Sequence, residues 1–259
     1  MIKLGDFTNL AEKYSANRPD YSKTVLNGLL GLIDRTLKEI KHVDVGAGTG
    51  IWTRMVSKMG IAESVAVEPN DAMREFGIRD NLDNTIRWVQ GSAEDTGLDS
   101  SSCNWVTMAS SFHWADFNRS TEEFHRILEP GGLFTALWNP RVIDANPILF
   151  EIEQQLLTLK PDLKRVSSGK SGITETLTEK LKASPFFEDV SYIEASHMVP
   201  MSPSRYLDAW RSVNDLQVQL GAKKFQRFIT FIEEKLKNQA VIECTYLTRA
   251  WSARRSGPQ

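Results

Sequence analysis

The chain has 259 residues, 41% of them hydrophobic and 25% charged, the composition of an ordinary globular protein with one sizeable core. Its 31 basic and 33 acidic residues leave a formal net charge of −2, which sets up no global field for nucleic acid or an anionic membrane and favours a small-molecule substrate. Cys103 and Cys244 are isolated, with neither C-x-x-C nor metal-ligand spacing, so a reduced cytoplasmic setting without a metal is expected. Met1 to Tyr14 lacks the apolar core of a signal peptide, and no run approaches the roughly 20 apolar residues of a membrane helix. A monomer or homodimer, neither secreted nor membrane-spanning, is expected.

In chain order, Phe7, Leu10, Ala11 and Tyr14 recur at helical spacing until Arg18-Pro19 stops the segment. Ser22 caps a helix whose stripe is Val25, Leu26, Leu29, Leu30, Ile33 and Leu37. His42 to Val45 is a strand that runs into Gly46-Ala47-Gly48-Thr49-Gly50, and a helix follows over 51–59. Ser64 to Glu68 is a second strand, Asn70 or Asp71 caps the next helix, and Ile86 to Gly91 is a third strand leaving through Ser92-Ala93-Glu94-Asp95. Trp105 to Ala109 is the fourth strand. Thr121 to Leu128 is a short helix, the turn Glu129-Pro130-Gly131-Gly132 ends it, and Leu133 to Trp138 is the fifth strand.

Strands alternating with helices imply right-handed crossovers and a mostly parallel sheet covered on both faces. Beyond it, residues 139–184 read as two helical pieces around a loop at Ser167 to Gly172, Phe187 to Glu194 as a sixth strand, Pro203 to Val213 and Ala222 to Leu236 as helices. Val241 to Trp251 closes the set as a β-branched and aromatic strand. Ser252 to Gln259 reads as a frayed basic tail.

The glycine turn falls at the carboxyl end of a strand, where open α/β sheets bind ligands. The dinucleotide pattern wants a glycine where Ile51 stands, so the spacing suits a nucleoside better than a pyrophosphate. Glu68 ends the second strand eighteen residues past Gly50 (68 − 50), where a carboxylate can accept from ribose hydroxyls. The loop Ser167 to Gly172 lacks phosphate-loop spacing and a preceding strand.

Five runs in this order carry a resemblance: Asp44 to Gly50, Glu68-Pro69, Gly91 to Glu94, Ser110 to Trp114, and Arg126 to Gly132. Together they resemble the class I S-adenosylmethionine-dependent methyltransferases, in the branch of the ubiquinone- and menaquinone-biosynthesis enzymes (methyltransferase type 11). The resemblance covers about residues 7–138. It implies a Rossmann-like α/β fold with a seven-stranded, mostly parallel sheet whose last strand is antiparallel between the fifth and sixth. It also implies a single methyltransferase domain over 1–259: an N-terminal lid arm at 1–21, a cofactor-binding core at 22–140, a helical cap at 141–185 and 200–238, and the last strands at 186–199 and 239–252.

What the resemblance implies for the site follows residue by residue. S-adenosylmethionine would be held by Tyr14 and Arg18 of the arm, by Asp44, Gly46, Ala47 and Gly48, by Glu68 and Pro69, by Ser92, Ala93 and Glu94 at the adenine, and by Ser110 and Ser111. Asp44 can equally cap the glycine turn without touching the ligand, and Glu94 can be a turn carboxylate. Methyl transfer from a sulfonium needs mainly alignment and exclusion of water, so no catalytic triad is expected. His113 is either a general base, since histidine titrates near neutrality, or a packed, hydrogen-bonded residue. Asn139 is positioned for catalysis or binding, while Tyr21, Trp114, Arg141 and Trp210 face the acceptor. Arg18, Arg141, Arg205 and Arg211 are candidates to meet an anionic substrate.

The expected activity is methyl transfer to an O, N or C atom of a small molecule. A lyase or cyclase acting on the cofactor's own chain, which would release methylthioadenosine, and a non-catalytic nucleoside binder are the alternatives.

Overall fold

A computed structural model describes residues 18–83, 85–163 and 172–257. The expected helix over residues 7–14, Tyr14 with it, and most of the Ser167 to Gly172 loop lie outside them.

Seven strands form one sheet: β1 (Lys41–Val45), β2 (Glu63–Val67), β3 (Ile86–Val89), β4 (Cys103–Ala109), β5 (Leu128–Trp138), β6 (Phe187–Met201) and β7 (Ile242–Arg255). Their order is β3-β2-β1-β4-β5-β7-β6. The first five pair in parallel, and β7 runs antiparallel to both its neighbours, β5 and β6. β1, β2 and β4 are buried almost throughout, the polar His42, Asp44, Ser64, Asn104 and Thr107 included, because helices cover both faces.

Neighbouring strand residues point to opposite faces, and the core divides accordingly. On one face Trp105, Leu133 and Leu137 pack with Val25, Leu26 and Leu29 of α1 (Lys23–Gly31) and with Trp52 and Val56 of α2 (Ile51–Ser57). On the other, Val106 and Phe134 pack with Phe124 and Ile127 of α4 (Phe117–Ile127). Between β2 and β3 runs α3 (Asp71–Asp80), whose cap Asn70 accepts from the Met73 N–H at 3.0 Å. A third core joins α5 (Pro147–Leu159), α7 (Pro203–Arg211) and α8 (Asn214–Leu236, broken at Gly221) to Met201, Ile242, Cys244 and Tyr246 at the far ends of β6 and β7.

Several boundaries differ from the sequence expectation. α1 stops at Gly31, which leaves Leu37 in a short 3-10 turn, 39% exposed. α4 starts four residues early because Asp116 caps it, accepting from the Arg119 N–H at 2.9 Å. Glu129 to Gly132 is a bulge within β5, since Leu128 already pairs with Cys103 before Leu133 pairs with Trp105.

The helix α6 (Ile173–Ala183), placed by sequence in the cap, buries Leu177 and Leu181 against the sheet, where Thr178 accepts from the Trp251 indole N–H at 3.0 Å. β6 runs seven residues past Glu194 and includes Pro200, which an edge strand tolerates. Ser252 to Arg255 is strand, with the Arg255 guanidinium donating to the Leu128 carbonyl at 2.5 Å.

Candidate active site

A cavity of about 370 Å³ opens between the carboxyl ends of β1, β2 and β4 and the cap, within the size range of small-molecule sites. Its floor is the glycine turn. Gly46 has φ +64°, and a Cβ there would lie 2.8 Å from the Ser111 Cβ, so both backbone angle and close approach demand glycine. The N–H groups of Gly46 and Ala47 donate to the Val67 carbonyl at 2.9 and 3.1 Å, which fastens the turn to β2.

Glu68 is 6% exposed and lines the cavity. One carboxylate oxygen accepts from the Gly48 N–H at 2.7 Å and the other from the Asn70 N–H at 2.9 Å. Burial pushes its pKa up, and those two bonds partly restrain the shift. An ionised carboxylate has about four lone-pair positions, so after two backbone bonds Glu68 keeps acceptor capacity toward the cavity. The same side chain therefore shapes the turn and offers a ligand contact.

At the end of β4, Ser110 holds φ +59°, an unusual angle for a residue with a side chain and one found at binding sites. Its hydroxyl pairs with Tyr21 at 2.8 Å, and Ser111 donates to the Val45 carbonyl at 3.1 Å. After β3, the Ser92 hydroxyl accepts from the Glu94 and Asp95 N–H groups at 3.2 Å, and Glu94 in turn accepts from the Asp116 N–H at 2.8 Å. Asn139 lines the cavity with both ends of its amide engaged: it donates to the Asp20 carbonyl at 3.0 Å and accepts from Thr248 at 2.8 Å.

Arg18, Tyr21, Gly46, Ala47, Gly48, Glu68, Pro69, Ser92, Ala93, Glu94, Ser110, Ser111, Trp114, Asn139 and Arg141 all line this one cavity. Asp44, His113 and Trp210 do not, nor do the anion candidates Arg205 and Arg211, the latter paired with Asp208 and Glu233. Asp44 is wholly buried beneath the turn, accepting from Thr53 at 2.5 Å and Thr107 at 2.9 Å, and burial raises its pKa to about 7. It ties β1 to α2 and β4 beneath the turn.

His113 is also off the cavity wall. The short 3-10 turn Phe112–Trp114 directs Trp114 outward and tucks His113 under Trp138, whose indole N–H donates to its Nδ1 at 3.3 Å. Burial lowers its pKa to about 4, so neither placement nor basicity suits the general-base role. Trp210 has no exposure; it packs edge-on against Phe228 in the cap core, with ring centroids 5.0 Å apart. Gly50, read with the nucleoside turn, is off the wall as well: a Cβ there would lie 2.9 Å from the Trp88 ring, and one on Gly77 only 2.0 Å from it.

The cavity wall also holds Trp52, Met73, Met108, Trp138, Glu153 and Tyr246, which the motifs did not indicate. Trp52 and Met73 had a signal. Each sits in the first turn of a helix opening at a strand end, and helical side chains lean toward the N-terminus.

The strand order, the antiparallel β7 between β5 and β6, and a glycine turn at the first strand define the class I methyltransferase fold. Residues 43–136 match a family model described as a methyltransferase domain. An uncharacterized methyltransferase of Mycobacterium tuberculosis is 33% identical over 135 residues, 52% of either chain, so the match spans about half the length of that relative. An uncharacterized methyltransferase of Schizosaccharomyces pombe is 24% identical over 257 residues, 95% of both chains.

Among solved structures, a candidate type II methyltransferase from Anaeromyxobacter dehalogenans superposes with a TM-score of 0.68 at 20% identity, over 92% of this chain and 98% of the other. A candidate methyltransferase of an antibiotic biosynthesis pathway from Anabaena variabilis reaches 0.62 at 18% identity, over 90% of this chain and 98% of its own. Both share the fold. No helix among the described residues is long and apolar enough to cross a membrane.

Proposed function

We propose that the chain transfers a methyl group from S-adenosylmethionine to an O, N or C atom of a small-molecule acceptor, in the cytoplasm. The observation that carries this reading is the Glu68 carboxylate, held by the Gly48 and Asn70 N–H groups at the floor of the cavity while retaining acceptor capacity. It suits a ribose diol. The donor set fits the rest of the cofactor: Gly46 and Gly48 leave the backbone bare, Met73 and Ala93 offer apolar contact for a flat ring, and Arg18 supplies a cation for a carboxylate.

When bound, the cofactor supplies a methyl already activated by a sulfonium. The protein's share is then to orient the reacting groups and exclude water. Met108, Trp114, Trp138 and Val213 give the cavity apolar walls, while the Tyr21–Ser110 pair closes the segment before α1 over the β4 exit. Among the described residues no histidine lines the cavity, so the acceptor's proton leaves without imidazole help.

The test is to incubate the purified chain with S-adenosylmethionine and a metabolite pool, and to follow nucleosides by mass spectrometry beside a calorimetric titration. S-adenosylhomocysteine formed only when acceptors are present is the expected result. Methylthioadenosine in its place assigns a lyase or cyclase, and no binding at all refutes the cofactor.

A further inference from the structure

The cap end of the cavity holds a guanidinium that makes no ion pair within 4.0 Å among the described residues. Arg141 continues the sheet past β5: it bridges to Tyr246, flanked by bonds from the Leu247 N–H to the Pro140 carbonyl at 2.9 Å and from the Val142 N–H to the Thr245 carbonyl at 2.8 Å. Its backbone is thereby fixed. Its guanidinium lies 4.1 Å from the centroid of the Trp210 ring and 5.5 Å from that of Tyr206, so α7 supports it from behind.

Arg141 is half-buried and lines the cavity. Its one hydrogen bond among the described residues goes to the Tyr206 hydroxyl at 3.3 Å, and none of their ion pairs includes it. Guanidinium carries five N–H donors, so four remain. Drawing a guanidinium partly out of water costs free energy that a bound anion offsets.

The charge around it is also unbalanced. Burial, the largest influence on Arg141, opposes its charge, while Tyr206, Tyr246 and Glu153 act in its favour and the net shift of its pKa is upward. The phenols help only once ionised, far above neutral pH, which leaves Glu153 as the carboxylate acting on it. Tyr246 senses Arg18 and Arg205 as well as Arg141. The cap end is therefore electropositive, in a chain whose net charge is −2.

We infer that Arg141 is the anchor for an oxyanion of the acceptor, so that the substrates of this site are small anionic molecules, carboxylates before others because a planar carboxylate matches the guanidinium fork. This inference rests on the methyltransferase reading and adds the acceptor's chemical class. The neighbours of Arg141 come from the β5–β7 extension, α5 and α7, and none from the glycine turn or Glu68. That places the group on the acceptor side of the cavity.

The experiment uses the full chain, with and without saturating S-adenosylhomocysteine, in calorimetric titrations with benzoate, succinate, citrate and phenyl phosphate, each acid beside its neutral methyl ester. The expected result is that at least one acid binds and its ester does not. Arg141→Gln then weakens that acid roughly ten- to hundredfold, Arg141→Lys weakens it less, and the affinity for S-adenosylhomocysteine stays within twofold. Phenyl phosphate binding better than benzoate assigns the oxyanion to phosphate while upholding the anchor.

The inference is overturned if no anion binds, if esters bind as well as acids, if the acid's affinity ignores the substitution, or if Arg141→Gln weakens the nucleoside instead. A wild-type chain that binds an acid through Arg141 but no nucleoside refutes the methyltransferase reading alone. Should Arg141→Gln not fold, Arg141→Lys and the wild-type comparison of acid with ester decide.

Discussion

Replacing Glu68 by Gln separates the two tasks of this side chain. Gln retains one oxygen for one of the two backbone donors and turns an NH2 group toward the other, which now stand 2.7 and 2.9 Å from the carboxylate. An unpaired buried N–H costs about 1–3 kcal/mol. Part of that is offset, because burial already disfavours the charge that the substitution removes. The loss in unfolding free energy should therefore stay near 1 kcal/mol. Binding suffers more, since a hydrogen bond to a charged group contributes about 1.5–3 kcal/mol, a factor of roughly ten to a hundred in affinity.

The assay is calorimetric titration of Glu68→Gln with S-adenosylhomocysteine beside a urea unfolding curve. A folded variant binding within twofold of wild type would remove Glu68 from the ligand and leave it only the turn.

Two further outcomes follow from buried histidines. His113→Gln should lower stability by about 1 kcal/mol, the worth of the Trp138 hydrogen bond, and leave kcat within a few-fold; a hundredfold fall in kcat at unchanged stability would reinstate His113 as a base. The second concerns the chain His42–Thr107–Asp44, in which Thr107 stands 2.8 Å from the His42 Nε2 and donates to Asp44 at 2.9 Å. Burial lowers the pKa of His42 to about 3 and raises that of Asp44 to about 7, both groups being wholly buried. Between about pH 4 and 6.5 the unfolded His42 binds a proton the folded one refuses, and the folded Asp44 keeps one the unfolded has lost.

These slopes have opposite sign and cancel in the wild type. Asp44→Asn should therefore lose stability on acidification through this window relative to wild type, and His42→Gln should lose it as pH rises, each by up to about 1.4 kcal/mol per pH unit. Urea midpoints at several pH values check this; variants parallel to wild type would refute it.

The glycine-turn side of the cavity was legible because its determinants are local. A glycine turn, a carboxylate at a strand end and a capped helix each fit within ten residues, and the alternation of strand and helix fixes where they meet. Asp44 was ambiguous for the same reason: strand periodicity says that it is buried, and only Thr53 and Thr107 say what it is buried against. His113 turned on the rotation of a three-residue 3-10 segment, which no periodicity records.

The cap was the least legible part, since the stripes of α5, α7 and α8 report a private core and leave open which residue at its margin meets the cavity. Arg141 was visible as a cation, but its place on the cavity wall against Trp210 and Tyr206 is a tertiary fact.

The Trp88 ring lies against both Gly50 and Gly77. The three positions form one steric unit that links the first turn of α2 to α3. A smaller residue at 88 would make room for a side chain at 77, whereas Gly50, at φ +80°, stays strained with any side chain. The third glycine of the turn thus answers both to its own backbone angle and to how the sheet's outer edge is packed.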